Sequence, residues 1–136
     1  MSRSADQIVV AARALIGIRF RPQGRSPETG LDCIGVVAAA IETERVPRDY
    51  ALRGGSVARL SAGLKAAGLR EVAMMRAGDV LVMAAGPAQL HLGIFTGTGL
   101  IHGDAGLRKV VERPAPVPWP IIQIWRCGRT EWRPSF

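Results

Sequence analysis

The sequence predicts an α+β domain in which N-terminal helices pack on an antiparallel sheet of about five to six strands. Apolar residues recur at helical spacing as far as about residue 67, and short segments rich in β-formers then alternate with Gly, Pro and Asp turn signals. Helices followed by strands are typical of α+β domains. Because the 136 residues contain no repeat or linker, we expect a single domain over 1–136.

Three helices are predicted in the first half of the chain. The first begins at a capping box of Ser4 and Gln7 and ends at Gly17, and its apolar face comprises Ile8, Ala12, Leu15 and Ile16. After a loop over 18–31, the second is expected over about 33–45 with Pro47 as its stop, and its inward residues are Ile34, Val37, Ala40 and Ile41. The third is expected over about 57–67, between a Ser56 N-cap and Gly68, with Leu60 and Leu64 inward.

The second half predicts short strands. Six segments combine β-forming residues with flanking turn residues: "REVAMM", "DVLVMAA", "HLGIFTG", "GLIHGD", "RKVVER" and "PIIQIWRC". Four prolines between residues 114 and 120 predict an extended connection before the last segment.

Composition narrows the classes of partner. The net charge of +7 favours polyanionic partners. However, the arginines are scattered and aromatic residues make up 5% of the chain, so no base-stacking platform is visible and we expect no specific nucleic-acid binding. No run of about 18 apolar residues predicts a membrane span. Because Asp6 and Arg13 interrupt the N-terminal apolar stretch, we expect no signal peptide and synthesis in the cytoplasm.

Cys33 lies in "LDCIGVV", where the second helix begins. One interpretation is a small buried core residue, since cysteine is among the most buried residue types. The other is a nucleophile, because a helix N-terminus favours the thiolate. Pairing of Cys33 with Cys127 is not expected in a chain without an export signal, and Cys127 is expected to be dispensable for chemistry.

The two histidines of the chain, His91 and His102, flank the turn "TGTG". Either one alone would be interpreted as a structural group. A two-residue turn at Gly97-Thr98, of the II′ type, sets Thr96 opposite Gly99 and His102 opposite Gly93. Because side chains alternate along a strand, both histidines then lie on one face as diagonal neighbours. We expect that face to be turned toward the N-terminus of the Cys33 helix.

Cys33, His91 and His102 could supply a nucleophile, a base and a residue that orients the base. A zinc site is the competing interpretation, with Asp104 or Asp32 as a fourth ligand. However, CxxC, HxxH and HExxH spacings are absent from the sequence. We therefore expect neither a metal nor another cofactor.

The motifs "LDCIGVV", "AGDVLVM", "HLGIFTG" and "LIHGDAG" resemble, in order and spacing, those of the NlpC-type cell-wall peptidases, a group of papain-like cysteine peptidases. The resemblance covers nearly the whole chain and implies a compact papain-like domain. The compact layout, the "LIH" motif and the missing export signal resemble most the branch found in phage tails and gene-transfer agents.

The resemblance implies that Cys33 is the nucleophile, His91 the general base and His102 the residue that orients it. It implies hydrolysis of a peptide bond in the peptidoglycan stem, typically between γ-D-glutamyl and diaminopimelate. It also implies phage-like tail proteins as partners and action in the periplasm. Phe20 stands where the family commonly has a tyrosine lining the substrate cleft, so we expect its ring there without a hydroxyl donor. Asp32, beside the nucleophile, is grouped with the substrate-binding residues, although capping or an ion pair is the favoured role.

Two alternatives stay open at this point. The chain could be a non-catalytic tail-tip or assembly protein that retains the fold. It could also be a thiol acyltransferase or an amidase on the same scaffold, which would transfer an acyl group to an added amine or lipid.

Overall fold

The computed structural model describes residues 3–42 and 56–127 as an α+β unit, as the sequence predicts. Its main sheet is antiparallel and has six strands: β3 (Arg70–Val72), β4 (Val80–Gly86), β5 (Gln89–Phe95), β6 (Gly99–Asp104), β7 (Lys109–Pro114) and β8 (Ile121–Arg126). The strand order is β3-β8-β4-β5-β6-β7. The first predicted strand segment pairs only over its first three residues.

The first helix, α1 (Ala5–Arg13), has the predicted capping box, in which the Ser4 side chain accepts from the Gln7 amide and the Gln7 side chain accepts from Ser4. Its predicted apolar face is buried except for Ile16, which is 44% exposed because the helix has already ended at Arg13. The third helix, α3 (Val57–Ala66), begins after Ser56 and buries Leu60 and Leu64, as predicted.

The second helix, α2 (Cys33–Ile41), is shorter than predicted. Glu42 adopts a left-handed conformation with φ 58°, which ends the helix about four residues before the expected boundary. The predicted stop at Pro47 lies outside the described residues. Seven of its nine residues are buried, so this helix packs into the core on nearly all sides. A helix at the centre of a core needs apolar residues on all of its sides, as α2 has.

The loop before α2 contains a small hairpin that the sequence did not indicate. Strands β1 (Arg25–Ser26) and β2 (Gly30–Leu31) pair antiparallel, and Phe20 forms a single bridge to Leu31. The Phe20 amide donates to the Arg108 carbonyl, 2.9 Å away, so the loop is also tied to the start of β7. These bonds fix the chain immediately before Cys33.

The sheet has two apolar faces with different coverings. The larger core lies between one face and the helices, and its sheet residues include Val82, Leu92, Ile94, Ile101 and Val110. A smaller cluster of Leu81, Met83 and Leu100 lies on the opposite face, where Val117 and Trp119 of the β7–β8 connector pack on it. Alternation along each strand produces this division.

Candidate active site

Cys33 is the first residue of α2 and is only 3% exposed. The preceding residue, Asp32, is the N-cap, and its Oδ1 accepts from the Gly35 amide at 2.8 Å. The same carboxylate accepts from the Gln23 amide at 3.1 Å and from Arg25 at 2.6 Å. The favoured capping and ion-pairing role of Asp32 is therefore what the structure shows. Its contact with a substrate stays a prediction.

The sulfur of Cys33 lies where β5 and β6 separate. These strands share two register pairs, Ile94 with Ile101 and Phe95 with Leu100, whereas β6 and β7 share six. Beyond these pairs, the backbone amide of Leu92 hydrogen-bonds to the Cys33 sulfur. Because that amide belongs to the His91–Leu92 peptide bond, the thiol lies directly against the backbone that carries His91.

The histidines form the predicted pair. The Thr96 amide donates to the Gly99 carbonyl at 2.8 Å, and Gly97 has φ +96°, as a two-residue turn with glycine first requires. The register of β5 and β6 extrapolates to His102 opposite Gly93. The Nε2 atom of His91 lies 2.9 Å from the Nδ1 atom of His102, and the rings are perpendicular at 87°. The same-face prediction is confirmed.

The predicted orientation of that face needs correction. A Cβ at Gly103 would lie 3.4 Å from the Cys33 nitrogen, so Gly103 faces the start of α2 and its neighbour His102 points away from it. The histidines share the face of the smaller apolar cluster instead. The alternation of side chains along the hairpin was sufficient to predict that the two histidines share a face. It did not indicate which face of the sheet α2 covers. Cys33 contacts the backbone next to His91, where β5 and β6 separate.

No family model and no curated protein matches the sequence. Solved structures do match. An NlpC/P60 family protein from Bacillus cereus aligns at 21% identity and TM-score 0.63, over 93% of this chain and 40% of that one. NlpC1 from Trichomonas vaginalis aligns at 15% identity and TM-score 0.67, over 90% and 43%. The NlpC/p60 domain of the peptidoglycan hydrolase SagA aligns at 24% identity and TM-score 0.56, over 82% and 90%.

This chain has the NlpC/P60 fold. It spans about two fifths of the length of the first two proteins and nearly all of the third. The predicted papain-like α+β class is thereby confirmed, with three described helices on a six-stranded antiparallel sheet. At these identities, the likeness concerns the fold, and the chemistry has to be argued from the residues.

Within this NlpC/P60 fold, the Cys33 thiol is not the thiolate that its helix position suggested. Burial, and then the Asp32 carboxylate, raise its pKa to about 12. The amides of Leu92 and Ile34 and the charge of Arg25 act in the opposite direction. Desolvation therefore outweighs the helix N-terminus, and the sulfur is a neutral thiol at pH 7.

Both imidazoles are also neutral at pH 7. Burial, and then the neighbouring His102, lower the pKa of His91 to about 4, while Asp104 acts to raise it. Burial likewise lowers the pKa of His102. Asp104 acts to raise it, Arg113 acts to lower it further, and a hydrogen bond with the Gly103 backbone acts to raise it. The site therefore holds an uncharged thiol beside an uncharged, hydrogen-bonded imidazole pair.

Phe20 lies at the same end of the sheet as the thiol. A Cβ at Gly103 would be 3.3 Å from the Phe20 ring and 3.4 Å from the Cys33 nitrogen. The half-buried Phe20 ring and the start of α2 are thus both neighbours of Gly103. Phe20 therefore lies near the start of α2, and its place in a substrate cleft stays a prediction.

Sequence reasoning missed one neighbour of the histidine pair, Trp119, and considered another, Asp104, only as a fourth zinc ligand. The Trp119 ring lies edge-on to both imidazoles, with centroids 4.9 Å from His91 and 5.3 Å from His102. The Asp104 carboxylate acts on the pKa of both rings. Trp119 is the one aromatic residue of a proline-rich connection, and that isolation was the available signal.

Cys33 and Cys127 are not joined by a disulfide, as predicted. Within residues 3–42 and 56–127, no group of three or more histidine, cysteine, aspartate or glutamate side chains could hold a metal ion. In the same ranges, no helix is long and apolar enough to cross a bilayer.

Proposed function

We propose that the protein is a cysteine peptidase that hydrolyses a peptide bond of the peptidoglycan stem. The observation that carries the proposal is the His91–His102 hydrogen bond of 2.9 Å, beside a thiol held against the His91–Leu92 peptide. The fold is shared with the peptidoglycan hydrolase SagA, which favours the wall as substrate.

The proposed reaction requires one of the two tautomer arrangements that this hydrogen bond permits. If Nδ1 of His91 is to accept the thiol proton, Nε2 of His91 must carry hydrogen and donate it to Nδ1 of His102. His102 then carries its own hydrogen on Nε2. This arrangement keeps Nδ1 of His91 free to accept the thiol proton and leaves an acceptor to stabilise the imidazolium that forms.

The neutral resting state requires proton transfer together with attack. As the Cys33 sulfur bonds to the substrate carbonyl carbon, its proton passes to His91. His91 then gives that proton to the leaving amine as the C–N bond breaks, which leaves a thioester on Cys33. Water attacks the thioester, its proton goes to His91 and then to the thiol, and a free carboxylate is released. Amides at the start of α2 supply donors to the developing oxyanion.

The bond cleaved is proposed to be that between γ-D-glutamyl and diaminopimelate. Digestion of purified sacculi with mass analysis of the fragments tests this directly. We expect fragments with new γ-D-glutamyl carboxyl ends from the wild-type protein and from Cys127→Ala, and none from Cys33→Ala. A Cys33→Ala protein that digests at the wild-type rate would refute the nucleophile assignment. Transfer of an acyl group to an added amine or lipid, in place of hydrolysis, would favour the acyltransferase.

A second function is favoured by one observation. The Cys33 thiol is buried and has a raised pKa, as expected of a non-catalytic tail or assembly protein that retains the fold. Such a protein would release no wall fragment and would bind other tail subunits. Assay of the full chain on sacculi, alongside capture of phage-like particles, separates the two.

We propose further that the chain works as part of a phage-like tail and meets its substrate in the periplasm. Support comes from the "LIH" motif and the compact layout of the motifs. Detection of the chain in purified particles by mass spectrometry, and its loss from particles lacking the tail tip, would test this. Particles that contain none of it would refute the tail role and leave the peptidase proposal standing.

A further inference from the structure

The connector between β7 and β8, residues 115–120, crosses the face of the sheet that carries the histidines. At one end, the Ala115 amide donates to the Thr98 carbonyl at 3.0 Å, beside the β5–β6 turn. At the other end, the Ala84 amide donates to the Pro120 carbonyl at 2.9 Å, on the distal part of β4. Three prolines restrict the backbone between these points. The connector is therefore a strap fixed at both ends.

Trp119 is the aromatic side chain of this strap, and it completes a triangle of rings with the two histidines. Its centroid lies 4.9 Å from that of His91 at 76°, and 5.3 Å from that of His102 at 84°. The two imidazoles lie 4.9 Å apart at 87°. All three contacts are edge-to-face, which is the directional geometry that aromatic rings prefer. Rotation of either imidazole would break contacts with both of its neighbours.

The same ring helps to cover the pair, of which His102 is buried and His91 half-buried. His102 is 1% exposed, and its Nε2 atom has no hydrogen-bond partner among the described residues. The Arg113 guanidinium lies 5.5 Å from the Trp119 centroid, within reach for a cation–π contact. Among the charged groups, Asp104 from β6 acts on the pKa of both rings and Arg113 from β7 acts on that of His102.

We propose that Trp119 is a positioning residue for the histidine pair. Its indole holds the two imidazoles perpendicular, so that Nε2 of His91 stays aimed at Nδ1 of His102, and it limits the access of water to the pair. The effect on turnover rests on the proposed function, whereas the effect on the histidines does not. Nothing in the "HLGIFTG" or "LIHGDAG" motifs indicates this residue.

The chain has two histidines, so their titration can be followed without ambiguity in untagged protein. Imidazole ¹⁵N NMR reports the pKa and the tautomer of each ring, and His102→Gln assigns the signals. We expect Trp119→Leu to move the His91 midpoint upward by at least about one pH unit, because more of the ring is then exposed to water. Trp119→Phe, which keeps an aromatic edge, should move it by less. Val117→Ala, a change on the same strap, should leave both midpoints in place.

In assays with stem peptide, Trp119→Leu should lower kcat about tenfold and leave KM unchanged, because the ring acts on the base and not on the substrate. Unchanged midpoints and tautomers in Trp119→Leu would overturn the proposal and leave Trp119 as packing alone. If the leucine chain fails to fold, Trp119→Met is the equivalent test. A wild-type protein without hydrolytic activity would contradict the proposed function, and the NMR titration would still decide the role of Trp119.

Discussion

Nε2 of His91 lies 2.9 Å from Nδ1 of His102, across the gap that opens between β5 and β6. The thiol of Cys33 lies at that gap, against the amide of Leu92. The strands that carry the histidines therefore separate where the first residue of α2 lies against β5. The geometry of the site therefore depends on two things: where the pairing of β5 with β6 ends, and which side chains lie there.

Replacement of His102 should separate its role as an acceptor from mere packing. The amide oxygen introduced by His102→Gln could still accept the hydrogen on Nε2 of His91, whereas the apolar side chain introduced by His102→Leu could not. We expect His102→Leu to lower kcat at least about tenfold more than His102→Gln does, a difference of about 1.4 kcal/mol. His91→Gln should lower kcat by about 10²–10⁴-fold, as expected for loss of a general base. Steady-state kinetics on stem peptide measure both. Equal losses in the two His102 variants would argue against the acceptor role.

Stability should depend on pH through His91. Its pKa is about 4 in the folded chain against 6.5 ordinarily, so between these values the unfolded chain binds more protons. The stabilisation is complete above pH 6.5 and is lost as the pH falls to about 4. The lowering corresponds to about 3 kcal/mol. Urea unfolding at several pH values should show a shallower decline in His91→Gln than in wild type. Parallel curves would contradict the lowered pKa of His91.

The Cys33 thiol should be slow to alkylate without substrate. Because its pKa is raised to about 12, the iodoacetamide rate in a Cys127→Ser background should still be climbing at about pH 10. In urea, the same cysteine should titrate near the ordinary value of 9.0. A plateau below about pH 8 in the folded protein would show a preformed thiolate, and concerted proton transfer would then be unnecessary.

Asp32 raises the thiol pKa and also stabilises the loop before α2. Asp32→Asn keeps a capping oxygen but loses the charge pair with Arg25, so we expect a loss of about 1–3 kcal/mol in unfolding free energy. Alkylation of Cys33 at about pH 9 should become faster, since the opposing charge is gone. Asp79→Asn removes a comparable pair with Arg126 on β8 and is the control. It should destabilise without changing the alkylation rate, and faster alkylation in both variants would indicate general loosening.

Substitutions of Phe20 test whether its ring lines a substrate cleft. Phe20→Tyr should preserve or raise activity by restoring a hydroxyl where the family commonly has one. Phe20→Ala should raise KM, because an apolar wall beside the start of α2 is lost. Peptide binding to Cys33→Ala carrying each change measures this without turnover. Unchanged affinity in the alanine variant would place the ring outside the cleft.

Local signals were enough to predict much of this architecture. The capping box of Ser4 and Gln7, the Ser56 cap and the Gly97 turn are each set by neighbours within a few residues, and all three are as predicted. The histidine pair followed from strand alternation within a single hairpin.

Features that depend on tertiary packing were not predictable in the same way. The sheet face that α2 covers, the early end of that helix at Glu42 and the β1–β2 hairpin all depend on distant contacts. The raised pKa of Cys33 is of this kind, since burial under the sheet outweighs the helix position. Trp119 reaches the histidines only because its strap is tied to Thr98 and Ala84.

The central claim is that the Cys33 sulfur attacks a stem-peptide carbonyl with His91 as base. Rapid acid quench of the protein with a stem peptide, followed by intact-mass and peptide-map mass spectrometry, tests it most directly. We expect a thioester adduct, with the mass of the acyl half of the peptide, on the fragment containing Cys33, and none in Cys33→Ala. An adduct on Cys127, or hydrolysis of the peptide by Cys33→Ala, would contradict the claim.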